Sequence, residues 1–373
     1  MKVLVTGASG FIGKNLISHL RLQSEPHDIL SFTKDSTDNL ESLLDQADFI
    51  FHLAGVNRPK DESEFKAGNT DLTERIVKHL ASTGKNTPIL ITSSTQAVLD
   101  NPYGKSKIAA EKLVEQYSKD TGADCFITRL PNVFGKWSRP NYNSAIATFC
   151  YNLTHSLPIT INDPSASLNL IYIDDVVHIF IGCLEGSITP REVTEEITVK
   201  TIPTTVGDVA ATLENLVAIR ETLVIPDLSN VLTKYLYSTL TSFYDNQDLT
   251  TDLVVNSDDR GWLFELAKSN QFGQVFISQT KPGFVRGEHW HHTKVERFCV
   301  IQGQGEVFFR ELGSDRVFSH KLTGDKIQII DIPVGTVHAI ENTGKEDMLL
   351  VIWANEILNK DAPDTYWEKV REV

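Results

Sequence analysis

The periodicity of this chain changes once, and the change divides it between two kinds of fold. Up to about residue 240, strand-length apolar runs alternate with helical patterns. Lys2–Thr6, Asp28–Phe32, Phe49–Leu53 and Pro88–Thr92 read as strands, and Phe11–Leu20, Thr70–Thr83 and Lys105–Ser118 as helices; Ile12, Leu16 and Leu20 share one helical face. Such alternation predicts a doubly wound parallel sheet. Further on, Gln274–Ser278, Glu306–Arg310, Arg316–Leu322, Lys326–Ile332 and Met348–Trp353 are short strands separated by Gly, Asp and Asn, the pattern of an all-β sandwich or barrel. Ser, Thr, Asp and Asn cluster over Ser238–Asp252, so the expected domains are 1–243 and 244–373. A chain of 373 residues exceeds one ordinary core, which agrees with two.

The bulk numbers exclude some functions. A net charge of −14 disfavours nucleic acid as partner, because phosphate binding needs a basic surface. No apolar run approaches the roughly 20 residues of a membrane span. The start, Met1-Lys2-Val3-Leu4-Val5-Thr6, is a strand rather than a secretory leader. Cys125, Cys150, Cys183 and Cys299 show no paired spacing and read as reduced thiols of a cytoplasmic protein.

Two constellations carry chemistry. The first begins at Thr6-Gly7-Ala8-Ser9-Gly10-Phe11-Ile12-Gly13, where a glycine triplet follows a strand and opens a helix. Glycines there let the backbone turn tightly and approach a pyrophosphate at the helix N-terminus, as dinucleotides require. An NAD site places a carboxylate at the tip of the second strand. Here Thr33 and Lys34 follow Phe32, and a lysine attracts a 2′-phosphate, which favours NADP; the other reading makes Lys34 a solvated surface residue and gives the acid's place to Asp35. Tyr103 and Lys107, four apart at a helix start, share a face, and a nearby ammonium stabilises a phenolate. Thr92, Ser93, Ser94 and Thr95 end the preceding strand with hydroxyls able to bond a carbonyl oxygen.

These residues, with His52-Leu53-Ala54-Gly55 and Tyr103-Gly104-Lys105-Ser106-Lys107, resemble the extended short-chain dehydrogenase/reductase family over roughly residues 1–240. The resemblance implies a Rossmann-type sheet. It implies Ser94 as hydrogen-bond donor to the carbonyl, Tyr103 as general acid/base and Lys107 as its activator. Cofactor contacts are then expected from Gly7, Ser9, Gly10, Phe11, Ile12, Gly13, Thr33, Lys34, Leu53, Ala54 and Gly55, and from Tyr103 and Lys107. Asn132, in Arg129-Leu130-Pro131-Asn132-Val133-Phe134-Gly135, would touch a sugar nucleotide. A later segment of that family usually begins with Arg where Leu168 stands here; Arg58, Lys136 or Arg139 are expected to substitute.

The second constellation is His289, His291, His292 and Glu296, followed by His338 and Asn342. His289 and His291 are two apart and would point to one face of a strand. With Glu296 and His338 they make three imidazoles and a carboxylate, a donor set for a divalent metal with a position open to water or substrate. Zinc is the first choice; nickel, manganese and iron suit the same donors. His292 would face the other way, as a partner of the ligands, a base in an adjacent pocket, or a surface residue. The spacing Gly283-x5-His289-x-His291-x4-Glu296-x6-Gly303, then Pro333-x-Gly335-x2-His338-x3-Asn342, resembles the cupin family over roughly residues 252–373, with Ile327 where a glycine is usual. That resemblance implies an all-β barrel.

A ketone is the substrate that needs both sites. A reductase delivers hydride to the carbonyl carbon, and the same carbonyl acidifies its neighbouring C–H bonds, so a base and an electrophile can invert the adjacent centre. The whole chain resembles the bifunctional enzymes of capsular polysaccharide synthesis. Its resemblance rests on His52–Pro59, Asp100–Lys107, Phe134–Trp137, Arg139–Tyr151, His289–Lys294 and Pro363–Tyr366. It implies C3 epimerisation in the barrel and NADPH-dependent C4 reduction in the first domain. The substrate would be UDP-2-acetamido-2,6-dideoxy-L-arabino-hex-4-ulose, with zinc in the barrel, His292 among the catalytic residues, and a homodimer. The alternative is a plain reductase of UDP-linked 4-keto sugars whose barrel serves dimerisation or ligand binding.

Overall fold

Val3, Leu4 and Val5 are fully buried, which places the first strand inside a sheet rather than at its edge. The computed structural model describes residues 1–254, 256–258, 261–263, 267, 269, 272–356 and 361–371. In chain order the elements begin β1 (Lys2–Thr6), α1 (Phe11–Leu20), β2 (Asp28–Phe32), α2 (Leu40–Gln46), β3 (Phe49–His52) and α3 (Ser63–Phe65). A π-helical turn at Lys66–Asp71 leads into α4 (Leu72–Ser82), β4 (Ile89–Ser94), α5 (Pro102–Thr121), β5 (Cys125–Leu130) and β6 (Asn132–Phe134). Then come α6 (Ala145–Thr154), β7 (Ser167–Tyr172), α7 (Ile173–Leu184), α8 (Val193–Val199) and β8 (Ile202–Thr205). The helices close with α9 (Val206–Val217), α10 (Ile219–Thr222) and α11 (Val231–Thr241).

Two compact units result. The first comprises 1–144 and 167–204, the second 145–166 and 205–373. In the first unit the sheet runs β2-β1-β3-β4-β5, all parallel, with β6, β7 and β8 in a second, smaller sheet. The chain leaves β1 to one side for β2 and returns to the other for β3. That reversal leaves a crevice beyond the carboxyl ends of β1 and β3, where ligands bind in sheets of this kind. One sheet face is covered by α2, α4 and α5 through Leu44, Ile76, Leu80, Ala110 and Val114. On the other face Phe51 stacks on Phe180 of α7 at 6.1 Å. Helix α5 is delimited as its sequence demands: Asn101 accepts the Gly104 N–H at 2.7 Å, Pro102 opens the first turn, and Gly122 closes the helix at φ 74°.

The second unit is mainly antiparallel. Its strands are β9 (Thr250–Asp252), β10 (Asn256–Asp258), β11 (Gly261–Leu263), β12 (Gln274–Thr280), β13 (Val285–Trp290), β14 (Glu296–Gln302) and β15 (Gln304–Glu311), then β16 (Val317–Thr323), β17 (Gln328–Ile332), β18 (Thr336–Asn342), β19 (Met348–Ala354) and β20 (Tyr366–Trp367). Two five-stranded sheets form, β12-β19-β14-β17-β9 and β16-β15-β18-β13-β20, giving the cupin-like architecture. Phe298, Val300, Phe309, Ile330, Ile340 and Ile352 fill the space they enclose. Strand β14 is buried on both faces: Cys299 packs outward with Ile329 and Leu223, while Arg297 pairs with Asp331 at 2.8 Å. Arg220 joins the helical segment to this sheet, donating to Thr251 Oγ1 at 2.9 Å and to the Thr250 carbonyl at 2.7 Å. All four cysteines are free thiols. Among the described residues, no helix is long and apolar enough to cross a membrane.

Candidate active site and metal centre

Gly7 follows β1 with φ 70°, a conformation that favours glycine, and its N–H donates to the Phe32 carbonyl at 2.8 Å. A Cβ at Gly7 would lie 2.8 Å from the Ala54 nitrogen, and one at Gly13 would lie 2.4 Å from the Gly7 oxygen. The turn therefore packs directly on the loop after β3, and helix α1 packs directly on the turn. No side chain caps α1, so its first amides stay available to an anion. His52 fixes the neighbouring strand end: it bonds Thr6 Oγ1 at 2.8 Å and Thr73 Oγ1 at 3.0 Å. Burial pushes its pKa down to about 3, so it stays neutral. Thr33 and Lys34 form a turn at the tip of β2, in which Ser36 Oγ accepts the Thr33 N–H at 2.8 Å; Lys34 and Asp35 are both exposed. This cradle fits a dinucleotide.

Ser94, Tyr103 and Lys107 meet beside it. The serine run resolves by partner: Ser93 donates to Glu111 at 2.5 Å, whereas Ser94 hydrogen-bonds Tyr103 and also accepts the Gln96 N–H at 3.1 Å. Thr95 is exposed. Burial raises the Tyr103 pKa, and the Ser94 hydroxyl works against that. Lys107 Nζ lies 5.8 Å from the Tyr103 ring centroid and donates to the Thr92 carbonyl at 3.2 Å. Burial lowers its pKa to about 8, with Glu111 opposing. A Cβ at Gly55 would stand 3.2 Å from that ammonium, so the loop after β3 covers Lys107 closely.

Two buried networks behind these residues had no sequence signal beyond their polar type. Arg129 grips Glu111 through both oxygens at 2.9 and 2.6 Å. Asn69, in the π-helical turn, bonds both backbone groups of Val56 and the Ser106 hydroxyl. Asn132, Arg58 and Arg139 are exposed, and Arg139 stacks on Tyr142 at 5.2 Å. Lys136, offered by the sequence as a candidate nucleotide contact, is fully buried, 2.8 Å from Asp174. Its charge is committed to that carboxylate.

In the second unit, His289, His291, Glu296 and His338 converge, with one donor atom from each lying within 4.8 Å of the others. His289 and His338 face each other across β13 and β18, while Glu296 opens β14. His291 lies just past the end of β13, so the two-residue alternation of a strand does not place it. A bulge at Gly287–His289, with Glu288 at φ 57°, re-aims the strand end instead. The His291 carbonyl then accepts the Gly335 N–H at 2.9 Å.

One Glu296 oxygen lies 3.3 Å from His291 Nε2 and 3.4 Å from His338 Nε2, and neither nitrogen has an aligned hydrogen-bond partner. Donors about 2.1 Å from a shared tetrahedral centre stand about 3.4 Å apart, so this spacing suits a metal. The Asp364 carbonyl, which can only accept, lies 2.5 Å from His291 Nδ1 and fixes the tautomer that turns the Nε2 lone pair inward. Burial holds the His289 pKa down at about 3 and lowers that of His338. Burial raises the Glu296 carboxyl, but the His291 and His338 rings beside it outweigh that and leave the group well below its ordinary value. A neutral His289, a neutral His338 and an ionised Glu296 are protonation states that suit a divalent cation. The residues fit the group.

His292 and Asn342 stand outside this set. The His292 ring lies edge-on to Trp290 at 4.5 Å and to Tyr366 at 5.1 Å. Asn342 donates to the carbonyls of Thr280 and Glu346 and accepts from Gly344, closing a turn.

Comparison with known proteins follows the same division. Residues 3–193 match the NAD dependent epimerase/dehydratase family, and residues 256–366 match the polysaccharide biosynthesis C-terminal domain. A UDP-2-acetamido-2,6-beta-L-arabino-hexul-4-ose reductase of Pseudomonas aeruginosa is 42% identical over 370 residues, 98% of each chain. The crystal structure of the capsular polysaccharide assembling protein CapF from Staphylococcus aureus aligns with 99% of this chain and 100% of its own, at 40% identity and TM-score 0.68. A UDP-glucuronic acid 4-epimerase from Bacillus cereus, crystallised with NAD, shares the fold over 58% of this chain and 84% of its own, at 20% identity and TM-score 0.50.

Proposed function

The chain belongs to the NAD dependent epimerase/dehydratase family, and from that premise we propose that it is a bifunctional nucleotide-sugar enzyme. Its second unit epimerises C3 of UDP-2-acetamido-2,6-dideoxy-L-arabino-hex-4-ulose. Its first unit then reduces C4 with NADPH to UDP-2-acetamido-2,6-dideoxy-L-talose, a precursor of UDP-N-acetyl-L-fucosamine for capsule or O-antigen. The full-length identity to a reductase of a UDP-linked 4-keto sugar carries the substrate class. The constellation of Ser94, Tyr103 and Lys107 beside the glycine turn supports the reduction.

The Gly7–Gly13 turn would hold the pyrophosphate of a nicotinamide dinucleotide, which would supply the hydride for the C4 carbon. Tyr103 hands its phenolic proton to the C4 oxygen, Ser94 holds that oxygen by a hydrogen bond, and the Lys107 ammonium stabilises the phenolate left behind. Lys34 favours the 2′-phosphate of NADPH. In the second unit, a divalent cation, zinc by preference, would be held by His289, His291, Glu296 and His338 and would polarise the carbonyl so that the C3 proton becomes acidic. Reduction fixes the new stereochemistry, because an alcohol no longer acidifies its neighbour.

The deciding measurement is NMR of the product formed from the UDP-linked 4-keto sugar in deuterated buffer with NADPH. Deuterium at C3 of a C4 alcohol is expected. Hydrogen retained at C3 would make this a plain reductase. Tyr103→Phe should abolish NADPH oxidation while exchange at C3 continues; loss of both would mean that the two sites are not separate. His292→Ala in the same experiment tests that residue as the base: exchange is expected to stop with metal content unchanged.

A further inference from the structure

Residues 361–371 lie across β13, which carries His289 and leads directly into His291, and their contacts fall at both ends of the segment that bears these two ligands. At its downstream end, the Asp364 carboxylate accepts three successive backbone N–H groups: His292 at 2.8 Å on Oδ1, and Thr293 and Lys294 at 2.7 Å each on Oδ2. The Thr293 hydroxyl adds a fourth bond at 3.0 Å, and Lys294 Nζ reaches Thr365 Oγ1 at 2.6 Å. The Asp364 carbonyl takes the His291 ring N–H, so one residue holds both the turn and the ligand that enters it. At the upstream end, the left-handed Glu288 is fixed twice: its carbonyl accepts the Glu368 N–H at 2.9 Å and its Oε2 accepts the Val370 N–H at 2.6 Å. Between these anchors, Tyr366 and Trp367 pair with Trp290 and His289. Arg310 fastens the segment to the barrel through the carbonyls of Val370 and Lys369 and the Glu368 carboxylate.

We propose that this C-terminal strap is the positioning device of the metal centre and that Asp364 is its key residue, fixing the tautomer and direction of His291. The inference rests on the reading that the four convergent side chains hold a metal. A strap that served only to cover a strand edge would need its ladder bonds alone. Here a carboxylate gathers the amides of the turn behind the ligand, and a carbonyl from the same residue meets the ligand's own ring. Partners of this kind, one shell out from a metal, change its affinity by about 10–100-fold when removed.

Zinc and cobalt(II) alone are the probes, each titrated into the metal-free full-length chain against a chromophoric chelator. Asp364→Asn keeps the volume but offers an amide where two backbone N–H groups need an acceptor. It should weaken zinc by about 10–100-fold and alter the d–d absorption of the cobalt form, a signature of ligand geometry that general destabilisation does not move. Thr293→Val removes one donor to the same carboxylate and should shift both readouts in the same direction by a smaller factor. Unchanged affinity and an unchanged cobalt spectrum in Asp364→Asn would overturn the proposal and leave the metal centre standing. If Asp364→Asn does not fold, an unchanged spectrum in Thr293→Val overturns it. Failure of the unaltered chain to bind either metal would remove the metal reading, and the strap's role with it.

Discussion

Lys107 is an ammonium held out of water, and two pH effects of opposite sign follow. Its folded pKa of about 8 lies below the ordinary lysine value of 10.5. Between those values the unfolded chain binds more protons than the folded one, so stability rises with pH through that window. The charge that assists Tyr103 is lost as pH rises through about 8. Reduction should therefore fall as pH rises through about 8, read as kcat/KM for the 4-keto sugar at saturating NADPH. Lys107→Arg should move that limb to higher pH while lowering the maximum, since a guanidinium keeps its charge but not the same reach. The residues of this site were largely legible, because Tyr103 and Lys107 are fixed by helical spacing. Lys136 was not. Its partner Asp174 is 38 residues away, and no local pattern announces a pair that only the tertiary fold assembles.

An element can be read from its own sequence only where its ends are chemically marked. Helix α5 is such a case: Asn101, Pro102 and Gly122 mark its start and stop, and the structure extends it beyond the Lys105–Ser118 core of its apolar pattern. The cap also sets the site, because Tyr103 sits in the first turn and a Cβ at Gly104 would lie 2.4 Å from the Leu99 carbonyl. Asn101→Ala should cost about 1 kcal/mol, seen as a lower melting temperature, with a loss of kcat larger than any change in cofactor affinity. Strand β13 is the opposite case. The alternation of His289 and His291 suggests one strand face, yet Glu288 adopts a left-handed conformation and His291 lies past the strand end. A non-glycine residue in that conformation leaves no mark in a sequence, and the anchors that enforce it come from Glu368 and Val370.

For the whole molecule, the change of period near residue 240 coincides with the end of α11 at Thr241, the last helix of eight residues or more among those described. Which sheet a helix packs against is not written in its own period. Thus α9, α10 and α11 belong with the antiparallel unit, where Arg220 of α10 bonds Thr251 and Ser238 of α11 bonds the Thr293 carbonyl. The residues proposed for reduction all lie in the first unit and those proposed for epimerisation all lie in the second, so the two chemistries should be genetically separable. Tyr103→Phe and His338→Ala should each fail to make the C3-epimerised C4 alcohol, and a mixture of the two should make it. A mixture that stays inactive would mean that the intermediate is not released between the steps.

The interrupted order of the units has a consequence during synthesis. Helix α6 carries Ile146, Phe149 and Cys150 as buried residues, and it packs in a unit whose next helix, α9, begins at Val206. From Thr154 to Val206 is 52 residues, roughly 3–10 s at the ribosome's pace of about 5–20 residues per second. For that interval an apolar helix waits on the nascent chain for partners that have not been made. The yield of this protein in a cell should therefore depend on who keeps α6 company until then.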